Sequence, residues 1–320
     1  MSRIALCAAV AYLTLPGCLV GDSADVTTPV ELAPPEDVPP ANPPAPGNRA
    51  GIVLAHGLGG TVDSFDPAIV TALQADGFYV LRDSVPGVDS VAVRAAALKT
   101  QIDAFVANNQ LDKVHVFAHS MGGLDARYLL STLKAPAVVS LTTVSTPHRG
   151  SVLADLGLGL QRRLSVSQQE ALLMLTDVLG DRFSPAQLEA ALTDLAEANA
   201  GAFNAANPDV AGVAYYSIAG YASVGGFGNP NADAACAAAG ATVPAPSSLP
   251  SFLKLTGPVV AGEDRRPHDG IVAVASAAWT GFLGCIPTDH LDETRAAEKP
   301  AADMRVDLVK LYRDAAARVK

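Results

Sequence analysis

Ser120 is the residue whose neighbours best suit it for chemistry. It stands in His119-Ser120-Met121-Gly122-Gly123, directly after the apolar run Val114 to Ala118 and before LDARYLLSTL (124–133). The run reads as a buried strand and the following stretch as a helix. The serine therefore falls at the apex of a strand–turn–helix, the setting of a nucleophile elbow. There the turn lifts the hydroxyl off the sheet, and the first N–H groups of the helix point toward it. The usual pattern is Gly-x-Ser-x-Gly; Ala118 stands at its first position, a departure of one methyl. A second apolar run, Gly51 to Ala55, ends in His56-Gly57-Leu58-Gly59-Gly60. A glycine-rich turn beside an elbow supplies a backbone donor to a developing oxyanion. The N–H of Leu58 and the N–H of Met121 are the two candidates. A phosphate loop would need a lysine and a hydroxyl residue that HGLGG lacks.

A serine hydroxyl barely ionises at neutral pH, so it needs a base, and the base needs an orienting acid. In sheets of this type the chain order is serine, acid, histidine. Of the six histidines, His56, His115 and His119 precede the serine, and His148 follows too soon for a strand end to carry an acid between them. His268 and His290 remain. Asp269 lies before Gly270 in a turn, and His290 follows it. Ser120–Asp269–His290 thus satisfies order and loop placement together, while Asp289 and Asp292, flanking the histidine, remain rival acids.

These groups need a scaffold. Strand-like runs at 51–55, 78–81, 114–118, 138–144 and 213–219 alternate with helical patterns, among them 64–76, stopped by Gly77, and a helix capped by Asp89 or Ser90. That alternation predicts an α/β fold with a mostly parallel sheet and helices on both faces. Ligands then sit at the carboxyl ends of the strands, where HGLGG, HSMGG and STPHRGS (145–151) fall. Ser167 with Glu170 forms a capping-box pattern ahead of ALLMLTDVL (171–179), and Ser184-Pro185 with Gln187 marks a second helix start. The first helix reads equally as core or as a cover over a cleft. Residues 220–262 read as a long ordered loop, and 304–319 as a closing amphipathic helix.

The 320 residues carry 49% hydrophobic side chains, with 22 Lys+Arg against 32 Asp+Glu for a net charge of −10. That balance argues against a nucleic-acid partner. Arg3, the apolar run Ile4 to Leu15 and Pro16-Gly17-Cys18 describe an export signal over 1–18. Leu15-Pro16-Gly17-Cys18 resembles a lipobox, in which Cys18 becomes the lipidated first residue and a membrane anchor. Leu19 in place of aspartate favours the outer membrane; an ordinary cleaved signal would give a periplasmic or secreted protein. Residues 19–49 are proline-dense and acidic and are expected to form a disordered spacer, leaving 50–320 as the folded domain, expected to be a monomer. With Cys7 and Cys18 in the leader, Cys236 and Cys285 are left to pair with each other in an exported context.

In their order and spacing, LAHGLGG (54–60), AHSMGG (118–123), STPHRGS (145–151), ANAGAFNAANPDVAGVAYYSIAG (198–220), HDGIV (268–272) and DHLDE (289–293) resemble the bacterial secreted triacylglycerol lipases, which have the α/β-hydrolase fold. The resemblance implies hydrolysis of lipid carboxylic esters, with phospholipase or short-chain esterase activity and a non-catalytic binding protein as alternatives. It implies Ser120 as nucleophile, Asp269 as acid, His290 as base, the N–H groups of Leu58 and Met121 as oxyanion hole, and a helical lid at about 152–200. No cofactor is implied. Close members bind a structural calcium; Asp292 matches one ligand, but Ala296 stands where a glutamine would ligate and no aspartate stands near Pro250.

Overall fold

The computed structural model describes residues 33–159, 183–237, 242–251, 253–295 and 306–320. The export signal with Cys18, and the Ser167–Glu170 capping pattern with its apolar stretch, lie outside them.

Seven strands form the main sheet: β1 (Glu36–Val38), β2 (Ala50–Ala55), β3 (Tyr79–Arg82), β4 (Lys113–His119), β5 (Val138–Val144), β6 (Ala214–Gly220) and, last in the chain, Phe282–Ile286. Two short strands, β7 (Ala222–Ser223) and β8 (Ser247–Ser248), pair separately, so Phe282–Ile286 is β9. The spatial order is β1-β3-β2-β4-β5-β6-β9, parallel throughout except for antiparallel β1. The central strands alternate between two cores. Val53, Val114 and Val116 pack with Leu98, Ile102 and Phe105 of helix Val91–Asn109 and with Leu129. Ile52, Leu54 and Phe117 face the other way, onto Ile69 and Leu73 of helix Pro67–Ala75 and Leu308 and Tyr312 of helix Leu308–Val319. A strand buried on both faces needs apolar residues at consecutive positions, which is why these runs lack a polar alternation.

The local signals act as expected at many ends. Ser90 accepts from Val93 N–H at the start of helix Val91–Asn109. Ser184 and Gln187 close a capping box on helix Pro185–Leu195. Gly77, at φ +91°, ends helix Pro67–Ala75.

Two expectations are corrected. The spacer does not stay disordered to residue 49, because Glu36–Val38 adds a strand to the sheet edge. Ladder bonds to β3, an ion pair between Glu36 and Arg82, and a bond from Gln74 Nε2 to Pro39 O offset the ordering cost. Residues 220–262 are not one loop. They hold β7, helix Ala232–Cys236, β8 and helix Leu253–Ala261, and Cys236 is bonded to Cys285 in β9.

Candidate active site

At the end of β4 the chain turns through Ser120 with φ +53°, a left-handed conformation that costs a non-glycine residue roughly 1–2 kcal/mol. Gly123 N–H and Leu124 N–H bond back to the Ser120 and Met121 carbonyls, closing the turn into helix Gly122–Tyr128. Ala118, at the first position of the elbow pattern, is 1% exposed in the core, so its methyl fills space away from the hydroxyl. The end of β2 approaches from the side. A Cβ added at Gly57 would lie 2.6 Å from Ser120 Cβ, so a residue without a side chain is needed there. Among the described residues, neither the Leu58 N–H nor the Met121 N–H has an acceptor.

The other half arrives from the far edge of the sheet. His268 bridges Ala222 and Ala273, and its Nδ1 accepts from Gly270 N–H at 2.9 Å. Between them Asp269 is presented with Oδ1 accepting from Ile271 N–H at 2.8 Å and Val272 N–H at 2.7 Å. Its Oδ2 accepts from His290 Nδ1 at 2.7 Å. On the opposite side of the imidazole, Ser120 Oγ lies 3.0 Å from Nε2 and donates to it. The structure thus brings Ser120, His290 and Asp269 into one hydrogen-bonded chain, all three buried. Burial alone pushes the Asp269 carboxyl up, but the His290 charge and the bonds from His290, Val272 and Ile271 outweigh it and hold the group below its ordinary value. Asp269 is therefore the ionised partner. Of the rival acids, Asp289 uses Oδ1 to accept from Leu291 and Asp292 N–H groups.

Sequence reasoning missed Glu293. Its side chain is fully buried, Oε1 accepting from Ser145 Oγ at 2.6 Å and Oε2 lying 3.0 Å from His119 Nε2 and 4.0 Å from His290 Nδ1. Burial and the Asp269 charge push its carboxyl well up; burial and His290 push His119 well down. Both shifts favour the uncharged forms, and the two side chains share a hydrogen bond at 3.0 Å. Gly220 at the end of β6 makes the room: a Cβ there would sit 2.0 Å from Glu293 Oε1. The only sequence signal was its place three residues after His290, among surface-like acidic residues.

His119, His290 and Glu293 form the one set of three His, Cys, Asp or Glu ligand atoms within 4.8 Å among the described residues. His290 is already bonded to Asp269 and Ser120, and Asp292, the residue aligned with calcium binding, is outside the set. That set offers two imidazoles and one carboxylate, whereas calcium takes six or more oxygen ligands. Cys236 and Cys285 form the expected disulfide.

The surroundings are apolar on the nucleophile side. Leu58, Met121, Leu124, Val88 and Val91 cluster with Ala154, Ala191, Leu195 and Phe183. Helix Val152–Gly157, at the start of the expected lid, buries Leu153 and Leu156 against Val259 and Val260.

A sheet with this order, an elbow serine after its central strand and a histidine after its last defines the α/β-hydrolase fold, and a sequence model described as alpha/beta hydrolase fold matches residues 52–161. A triacylglycerol lipase of Vibrio cholerae is 31% identical over 301 residues, covering 85% of this chain and 88% of that protein. The chain belongs to the triacylglycerol lipase family. Triacylglycerol lipase 2 of Saccharomyces cerevisiae is 31% identical over 231 residues, covering 69% of this chain; the match spans only 59% of the yeast protein's length. Among solved structures, the mature lipase BlEst2 of Bacillus licheniformis superposes with a TM-score of 0.58 at 20% identity, covering 80% of this chain and 91% of that one, a likeness of fold.

Proposed function

We propose that this chain hydrolyses carboxylic esters of lipids, triacylglycerols first, by an acyl-enzyme mechanism. The observation that carries this reading is the Ser120–His290–Asp269 chain, with bonds of 3.0 and 2.7 Å. Ser120 Oγ attacks the ester carbonyl as His290 Nε2 takes its proton. The ionised Asp269 holds the Nδ1–H tautomer and stabilises the imidazolium. The carbonyl oxygen becomes an oxyanion held by the Leu58 and Met121 N–H groups, each worth about 3 kcal/mol of barrier. His290 then protonates the leaving alcohol, and water, deprotonated by the same imidazole, releases the acid. No cofactor enters. The apolar cluster around Leu58 and Met121 suits an acyl chain, with the region at about 152–200 acting as its cover. The names of the relatives support a triacylglycerol as substrate.

The basic start, apolar run and Cys18 support export and lipidation, holding a monomeric domain at the outer membrane on the proline-rich spacer. Hydrolysis of p-nitrophenyl esters from acetate to palmitate, and of an emulsified triacylglycerol, tests the activity. The long-chain esters and the emulsion are expected to be cleaved, and Ser120→Ala to lose nearly all turnover. A Ser120→Ala protein with most of its activity would overturn the assignment.

A further inference from the structure

We propose that Arg94 is a positioning residue that aims the Leu58 N–H and ties it to the Met121 N–H, so that the two halves of the oxyanion hole are set by one guanidinium. The inference rests on the reading of those two donors given above. Arg94 sits in the first turn of helix Val91–Asn109, yet its side chain is 0% exposed. On one side, Nε and Nη2 both reach Asp125 Oδ2 at 2.8 Å. Asp125 lies on the helix that begins at the elbow, and its own N–H bonds to the Met121 carbonyl at 3.1 Å. On the other side, Nη2 donates to His56 O at 2.8 Å and lies 3.5 Å from Gly57 O. Nη1 donates to Pro86 O and, at 3.2 Å, to Gly87 O. Gly87 O also accepts from Gly59 N–H at 2.7 Å, bracing the far side of Leu58.

The geometry matters because a peptide unit is planar and trans. The Gly57 carbonyl and the Leu58 N–H belong to one such unit and point in opposite directions. Holding the carbonyl inward therefore turns the N–H outward. Three groups hold it: His56 Nδ1 at 2.9 Å, Gly60 N–H at 3.2 Å and Arg94 Nη2 at 3.5 Å. Burial, and then the Arg94 charge, push the His56 pKa down to about 3, so the ring is neutral, and the Gly57 carbonyl fixes the proton on Nδ1. The same guanidinium grips the elbow helix through Asp125. Leu58 and Met121 come from strands β2 and β4, and Arg94 links their loops by side-chain bonds beyond the sheet. A buried cation facing five acceptor oxygens would be a costly way to hold a surface loop; placed behind a transition-state donor, it supplies preorganisation.

The test compares wild type with Arg94→Lys, Arg94→Met and Asp125→Asn, each checked for cooperative melting. Two readouts are taken: kcat and KM on p-nitrophenyl butyrate below its solubility limit, and the inhibition constant of an alkyl trifluoromethyl ketone, which adds Ser120 and mimics the oxyanion. The expected result is a kcat lower by about 10²-fold in Arg94→Met, the size of losing one oxyanion donor. KM should stay within about twofold, since a donor used only in the transition state leaves ground-state binding unchanged. The ketone should weaken by a factor similar to the loss in kcat. Arg94→Lys should recover little, because an ammonium lacks the planar fork. Asp125→Asn should fall between. Folded variants with wild-type kcat and ketone affinity would overturn the proposal. Failure of all three variants to fold would overturn it too, assigning Arg94 to stability alone. Failure of the underlying reading looks different: wild type itself would neither cleave the ester nor bind the ketone.

Discussion

The half of the site that carries Ser120 and the half that carries His290 are held by different means. Ser120 and the Leu58 turn leave adjacent central strands, β2 and β4, which pair in unbroken register from Ala50–Lys113 to Ala55–Ala118. Their side chains are buried on both faces, and backbone ladders position the strand ends from which these loops leave. Asp269 and His290 lie instead on loops before and after the edge strand β9, whose pairing with β6 is shifted between Ser217 and Ala219. Here the chain is fixed by cross-links: the Cys236–Cys285 disulfide, the His268 bridges and the buried Ser145–Glu293–His119 chain. The first half is set by a continuous central ladder, with Arg94 bracing the loops beyond it, whereas the second hangs on an edge strand and a few cross-links, so it should be the easier to loosen without unfolding the first.

The largest effect expected is from Asp269→Asn, which leaves the shape but removes the charge that selects the His290 tautomer. Turnover should fall about 10⁴-fold with little change in melting temperature, as read by ester hydrolysis and calorimetry. Gly57→Ala attacks the first half: its Cβ would meet Ser120 Cβ at 2.6 Å, and displacing a reacting group by about 1 Å costs about 10²-fold. Retention of full activity in Gly57→Ala would show that the loop yields, against the rigidity assigned to this half.

The disulfide probes the second half. It closes a separation of 49 residues, and its loss in Cys236→Ser/Cys285→Ser should remove about 4 kcal/mol or less of stability, measured by urea unfolding. Activity at low temperature should decline before the global fold does. The smallest effect is a pH dependence at Glu293, whose carboxyl is raised by burial and by Asp269. A raised acid contributes stability that is complete below its unfolded pKa of about 4.3 and is lost as pH rises through its folded value. Glu293→Gln lacks that titration. Its stability relative to wild type should therefore climb with pH above about 4.3, by up to about 1.4 kcal/mol per unit. A pH-independent difference in melting temperature between the two proteins would show that Glu293 is ionised in the native state.

The same division decides what was legible in the sequence. HGLGG and HSMGG are contiguous, and each sits where an apolar strand ends, so residue type and spacing sufficed to place Ser120 in a strand–turn–helix beside the Leu58 turn and to give the sheet's parallel class. That Asp269 and His290 meet Ser120 was legible from chain order and the demand of a serine for a base. The elements between and around them were not. Strand β9 is five residues long, contains Gly284 at φ +109° and follows Gly281 at φ +65°, so it lacks strand propensity and is made by pairing with β6. Glu293 and Arg94 look like solvated charges on one-dimensional inspection. Their burial depends on partners 148 residues away at Ser145 and 31 away at Asp125, and such long-range satisfaction of polar groups leaves no local pattern. β1 was hidden by the prolines around it, because its pairing is supplied by the open edge of β3.

Reaction with an alkyl fluorophosphonate, followed by proteolysis and mass spectrometry, tests the central claim most directly. Wild type should take up one equivalent on Ser120, and His290→Ala should be labelled far more slowly although folded. A label that settles on another residue, or one that reaches Ser120 as fast without the imidazole, would contradict the account.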